Sequence, residues 1–255
     1  LKTVDRHILL LSLNNNKENI MADKKSHPLT EKMKPRDSQI IESDGVLPLG
    51  SRVLFFIGGK GSSKTTTVLH LLSLKESPYR KYFKNIFLIS PSASADKKLS
   101  DLYEELERED KVYDTLNDTV VSEITDRLKE LNEEHPKQQN LVIIDDCSHL
   151  LPTGRKPSKI SGLFTNSRHL KTSVWLIAHK FTSIPPMIRN QVDGLFIFKT
   201  NSKSELKSFQ THLNVDEDVF AKNLKEATSK PYGFLFLNLT GAKPKYYDRF
   251  DELPD

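Results

Sequence analysis

From Gly50 onward, short apolar runs alternate with longer stretches whose apolar residues recur every three or four positions. This is the pattern of a parallel β-sheet with helices on both faces. The predicted strands are Arg52–Ile57, Asn85–Ile89, Leu141–Ile144, Val174–Ala178, Leu195–Phe198 and Phe234–Leu239. Between them the periodicity predicts helices over Lys64–Leu74, Lys98–Glu109, Ser122–Glu134, Ile160–Arg168, Ser204–Leu213 and Asp216–Ala227. In the second of these, Leu99, Leu102, Tyr103 and Leu106 are spaced as one buried face. Residues 1–45 are polar and lack sustained periodicity; with the first methionine at Met21, they are expected to be a disordered extension ahead of one domain over 46–255.

Composition fits that picture. Hydrophobic residues form 36% and charged residues 28% of the 255, enough for one core beneath a well-solvated surface. Apolar runs such as Val53–Ile57 and Leu141–Ile144 are strand-sized, so no membrane span is expected, and no secretory leader is recognised. Cys147 is the single cysteine, which excludes an internal disulfide and any cysteine-based metal cluster.

The net charge of +4 hides an uneven distribution. Lys97–Glu134 is strongly acidic, whereas Cys147–Val192 contains no Asp or Glu but carries Arg155, Lys156, Lys159, Arg168, Lys171, Lys180 and Arg189. Such a run suits contact with polyphosphate or nucleic acid, and equally an ordinary solvated face balanced by the acidic segment.

Two motifs carry chemistry. Gly58-Gly59-Lys60-Gly61-Ser62-Ser63-Lys64-Thr65-Thr66 follows a predicted strand and opens a predicted helix. Glycines let a backbone turn tightly and aim its N–H groups at a polyphosphate, and the helix adds its positive end. In such a loop Lys64 reaches the β- and γ-phosphates and the Thr65 hydroxyl is offered to Mg²⁺. Ser63 stands where the usual pattern has glycine. The second motif, Leu141-Val142-Ile143-Ile144-Asp145-Asp146, is a buried-type strand ending in two carboxylates at the sheet edge where open α/β folds bind ligands. Asp145 is then placed to hold Mg²⁺ and Asp146 to orient or deprotonate an attacking water. ATP and Mg²⁺ are the cofactors these motifs imply.

A third constellation follows: Asn166-Ser167-Arg168-His169-Leu170, the strand Val174–Ala178 ending at His179, and Ile184-Pro185-Pro186-Met187-Ile188-Arg189-Asn190-Gln191. Taken with the two motifs above, this order resembles the DNA-packaging ATPases of poxviruses and giant viruses, members of the FtsK–HerA superfamily with relatives in virophages and Maverick/Polinton elements. The resemblance spans about Leu49 to Phe198 and is weak outside it. It implies a RecA-like P-loop NTPase fold of the additional-strand type, its central sheet mostly parallel, ordered 5-1-4-3-2 and flanked by helices.

The function implied is an ATP-hydrolysing motor that moves double-stranded DNA into a capsid. The partners implied are duplex DNA, further copies of the chain in a hexameric or pentameric ring, and a capsid or portal component. The place of action implied is the infected host cell at the site of virion assembly, or the virion itself. His179 occupies the place of the family's polar sensor, typically glutamine or asparagine; histidine can still hydrogen-bond a phosphate or water, but its charge can change near neutral pH. Arg168 and Arg189 are the candidates for an arginine donated to the neighbouring subunit's site, with Arg168 preferred, and Lys156 and Lys159 are placed for DNA contact. Two other readings fit the same residues: another P-loop NTPase acting on nucleic acid, of helicase or loader type, and a catalytically decayed DNA-binding scaffold. No guanine-reading Asn-Lys-x-Asp segment is present.

Overall fold

The computed structural model describes residues 46–92, 100–154, 158–213 and 215–254. The expected extension over 1–45 lies outside these residues, as do Lys98 and Leu99 of the second predicted helix.

One nine-stranded sheet organises the chain, in the order β3-β2-β4-β5-β1-β6-β7-β8-β9. The strands are β1 (Val53–Ile57), β2 (Phe83–Ile89), β3 (Val112–Tyr113), β4 (Gln139–Asp145), β5 (Thr172–Ala178), β6 (Gly194–Phe198), β7 (Phe234–Asn238), β8 (Lys245–Asp248) and β9 (Asp251–Glu252). Every pairing from β3 across to β6 is parallel, and β7, β8 and β9 continue the sheet antiparallel. The five strands β6-β1-β5-β4-β2 reproduce the expected 5-1-4-3-2 order. Sequence reading missed β3, β8 and β9.

The central strands read as unbroken apolar runs because both faces are covered. Along β1, Val53, Phe55 and Ile57 enter one core cluster while Leu54 and Phe56 enter the other. The same alternation holds in β5, where Val174, Leu176 and Ala178 oppose Trp175 and Ile177. Helices α3 (Asp118–Glu134), α4 (Lys159–Thr165), α6 (Lys203–Leu213) and α7 (Glu217–Ala227) supply apolar side chains to the first cluster. Helix α1 (Lys64–Ser73) and α2 (Ser100–Glu107) serve the second, through Val68, Leu71 and Leu106. Leu102 and Tyr103 pack beside Leu106, as the spacing predicted. The short α5 (Pro186–Arg189) completes the set.

Caps mark where several helices begin. Asn117 accepts from Val120 N at 2.9 Å ahead of α3, Ser158 accepts from Ser161 N at 3.1 Å ahead of α4, and Asp216 accepts from Asp218 N and Val219 N ahead of α7. Helix α4 ends at Thr165, not at Arg168 as the periodicity suggested, because the chain turns over Asn166–Leu170 to enter β5. No helix among the described residues is long and apolar enough to cross a membrane.

Candidate functional site

Parallel strands deliver their carboxyl ends to one edge of the sheet, and three such ends meet here. Register fixes their relation: Ile57 of β1 stands opposite Ala178 of β5, and Asp145 of β4 opposite Ile177 of β5. Asp145 therefore sits two strands from the loop that leaves β1, about 10 Å across the sheet at ordinary strand spacing.

That loop, Gly58–Ser63, is anchored by Gly58 N donating to Ala178 O at 3.2 Å. Gly58 has no room for a side chain: a Cβ there would lie 2.6 Å from Phe198 Cβ, so the end of β6 closes directly on the loop. Gly61 has φ +76°, a conformation that disfavours side chains. Ser63 has φ 74° and ψ 22°, so it takes the left-handed conformation that glycine takes more cheaply. The departure noted in the sequence is thus one of energy and not of shape. Ser62 Oγ is buried with no hydrogen-bond partner among the described residues.

Lys64 is buried at the start of α1, and its ammonium donates to Gly58 O at 2.7 Å and Gly59 O at 2.9 Å. Burial pulls its pKa below the ordinary lysine value, while the charges of Asp145 and Asp146 act to raise it. Both carboxylates thus lie within electrostatic reach of the loop lysine. Asp145 is buried, and Asp146, just beyond β4, is about half exposed with φ 54°. The Asp146 carboxylate lies 3.2 Å from His179 Nε2. His179 also lines a cavity of about 20 Å³ with Gly58, Gly59 and Glu205, which puts the imidazole between the second carboxylate and the loop. Cys147, beneath the two acids, is fully buried, and its thiol is pushed up to about 12, chiefly by burial.

Among the described residues, no cluster of three or more His, Cys, Asp or Glu side chains could hold a metal ion unaided. Mg²⁺ does not require one, since it keeps several waters and binds through one or two protein oxygens plus substrate phosphates. Asp145, at the end of β4, and Thr65, directly after the loop lysine, are of the right type and lie at the right edge for that limited role.

The two arginines fall elsewhere. Arg168 precedes β5, at the opposite edge of the sheet from the loop, with its side chain 73% exposed and 3.5 Å from Asp193. Arg189 ends α5, with its guanidinium 5.1 Å from the Phe181 ring centroid and NH1 donating to Ser208 Oγ at 3.1 Å. Burial lowers its pKa, opposed by Glu205. Lys159 is exposed at the start of α4, while Lys156 lies outside the described residues. Among the described residues the cations of the acid-free run do not gather into one patch, since Arg168 and Lys171 flank the amino end of β5 and Lys180 follows its carboxyl end.

Two carboxylates escaped sequence reading. Glu205 is buried and accepts from Phe181 N at 2.7 Å, Thr182 N at 3.3 Å and the Thr182 hydroxyl, fixing the turn just after His179. Asp193 accepts from Val53 N at 2.9 Å and pairs with Arg52 at 3.2 Å, tying the starts of β6 and β1. Neither stands in a motif; only their packing partners reveal them.

A phosphate loop between a central strand and a helix, with the acid-tipped strand separated from it by β5, defines a P-loop NTPase of the α/β class. Comparison with known proteins narrows this further. The family model described as "Poxvirus A32 protein" matches residues 51–246, and the chain belongs to that family. It is 29% identical over 181 residues to uncharacterized protein 075L of Invertebrate iridescent virus 6, covering 69% of this chain and 66% of that protein. It is 23% identical over 203 residues to uncharacterized protein 015R of Frog virus 3, covering 78% of this chain and 60% of that protein. The chain therefore spans less than two thirds of the length of these relatives. Among solved structures, the fold is similar to the DNA-packaging ATPase B204 of Sulfolobus turreted icosahedral virus, with TM-score 0.59, 18% identity and coverage of 77% of this chain and 96% of that one. It is also similar to the genome-packaging NTPase B204 of Sulfolobus turreted icosahedral virus 2, solved with ATP-gammaS, with TM-score 0.57, 19% identity and the same coverage.

Proposed function

We propose that this chain is an ATP-hydrolysing motor that drives double-stranded DNA into a virus particle. One observation carries the reading: Lys64, Asp145, Asp146 and His179, from three strand ends, meet beside a glycine-rich loop. The family and the packaging NTPases of similar fold give that site its setting. Loop N–H groups and Lys64 would bind the β- and γ-phosphates, and Thr65, Thr66 and Lys60 would complete the cradle. Asp145 and Thr65 would hold Mg²⁺, which would supply positive charge to offset that of the phosphates. Asp146 would accept a proton from the attacking water, with His179 holding the carboxylate in place through the 3.2 Å contact. Copies of the chain would form a ring around duplex DNA in the infected cell, working against a capsid component. Arg168, exposed and free of the chain's own loop, is the better candidate to reach a neighbour's site.

The test is ATP hydrolysis by the purified chain with and without duplex DNA, for wild type and Asp146→Asn. Wild type should turn over ATP faster with DNA, and the variant should bind ATP while losing at least about a hundredfold in turnover. Equal rates for wild type and variant would refute the role of Asp146, and no hydrolysis under any condition would refute the motor.

A further inference from the structure

Beside the phosphate loop lies a cleft of about 760 Å³ that the motifs leave unassigned. Its volume falls within the ~300–1,000 Å³ usual for small-molecule sites. One wall is a stripe of α1 and the chain just before and after it: Ser63, Thr66, Thr67, His70 and Leu74, spaced as one helix face. The other wall comes from the antiparallel end of the sheet, with Tyr232 before β7 and Arg249 and Phe250 in the turn from β8 to β9.

Two independent features mark this cleft as built for a ligand. First, the described residues include four exposed large hydrophobic side chains, and Leu74, Tyr232 and Phe250, at 48%, 68% and 42% exposure, are three of them. Large apolar groups left in water around a concave surface mark binding sites more often than they arise by accident. Second, three of its residues, Ser63, Tyr232 and Arg249, are non-glycine residues with positive φ, at 74°, 60° and 56°. Strained backbone of this kind persists where surrounding structure enforces it and gathers at ligand clamps. Phe250 is steadied by an edge contact with Phe234 at 5.7 Å, and Arg249 N donates to Phe234 O at 3.1 Å.

We propose that this cleft seats the base and ribose of the nucleotide, with Tyr232 and Phe250 as its aromatic clamp. The inference rests on the phosphate-loop reading above. A nucleotide whose phosphates lie on Gly58–Thr65 must send its other end away from the loop. Along the Ser63–Thr66–His70 stripe, that end enters an apolar cleft with aromatic faces on the far wall. Stacking on an aromatic ring serves any base, and losing one such ring weakens binding by about tenfold or more.

Calorimetric titration with ATP and with inorganic tripolyphosphate, which has phosphates but neither base nor ribose, tests the assignment. Wild type should bind both. Tyr232→Ala and Phe250→Ala should each weaken ATP about tenfold while leaving tripolyphosphate unchanged, and Tyr232→Phe should retain ATP affinity. Both rings are substantially exposed, so the alanine variants should fold, and unchanged tripolyphosphate binding confirms that they do. Alanine variants that bind ATP as wild type does, or that lose both ligands equally, would overturn the clamp while the phosphate-loop reading stands. Wild type binding neither ligand would overturn both.

Discussion

Replacing Ser63 with glycine should make the protein more stable, although it removes a side chain from the heart of the candidate site. The backbone at Ser63 is left-handed, with φ 74° and ψ 22°, and its side chain makes no capping hydrogen bond to α1 in return. An L-residue there costs about 1–2 kcal/mol relative to glycine. Glycine also widens the unfolded ensemble, which costs about 0.4–1 kcal/mol. The net gain is roughly 0.5–1 kcal/mol, and for a domain of this size it raises Tm by about 1–4 °C. Gly61→Ala supplies the mirror experiment. Its φ is +76° and an added Cβ would meet nothing within 4 Å, so the change isolates the backbone term. Tm should fall there by a similar amount. The assay is thermal unfolding followed by the fluorescence of Trp175, the single tryptophan and fully buried. A lower Tm for Ser63→Gly together with an unchanged Tm for Gly61→Ala would show that the loop is not held in this conformation and refute the reasoning.

Two further outcomes can be measured. The Cys147 thiol, pushed from an ordinary 9.0 to about 12, stays protonated until the pH rises through that value, so at pH 8 its thiolate is about a thousandfold scarcer than in a free cysteine. Alkylation should therefore be slow in the native protein and rapid in denaturant; equally fast labelling in both would mean the thiol is accessible. Arg168→Ala removes one exposed contact of 3.5 Å and should cost under about 1 kcal/mol, whereas Arg189→Ala strips a partly buried cation from the Phe181 ring and should cost more, about 1–3 kcal/mol. Mixing folded Arg168→Ala subunits into wild type should depress ATPase activity more steeply than their fraction, and a linear decline would remove Arg168 from a shared site.

The parts of the fold legible in the sequence are those where local pattern and tertiary environment agree. Strands β1, β4 and β5 are buried on both faces, so their apolar runs stand out, and the residues at their carboxyl ends must share one sheet edge. For that reason Lys64, Asp145, Asp146 and His179 could be placed together before any coordinates. Strands β3 and β9, with two residues each, are too short to carry a period, so nothing in their own sequence announces their pairing with β2 and β8. The left-handed backbone of Ser63 could be suspected from the missing glycine but not known. Glu205 and the aromatic wall of the cleft were invisible because nothing local distinguishes an acid that caps a turn, or a tyrosine before a strand, from solvated surface.

The outermost strands also bear on how copies of the chain can meet. A β-sheet normally ends in a row of open N–H and C=O groups that another sheet can extend. Here the two outermost strands are two residues long. One, β3, is flanked by Lys111 and Asp114, and the other, β9, consists of Asp251 and Glu252. Neither of these strands by itself offers a run of backbone long enough to zip onto a second molecule, and the acidic β9 would repel its own copy. Copies of the chain assembled as proposed above would not be joined through these two short strands. In the ring proposed above, contacts made by side chains could slide and release, whereas a fused sheet would lock neighbouring copies together.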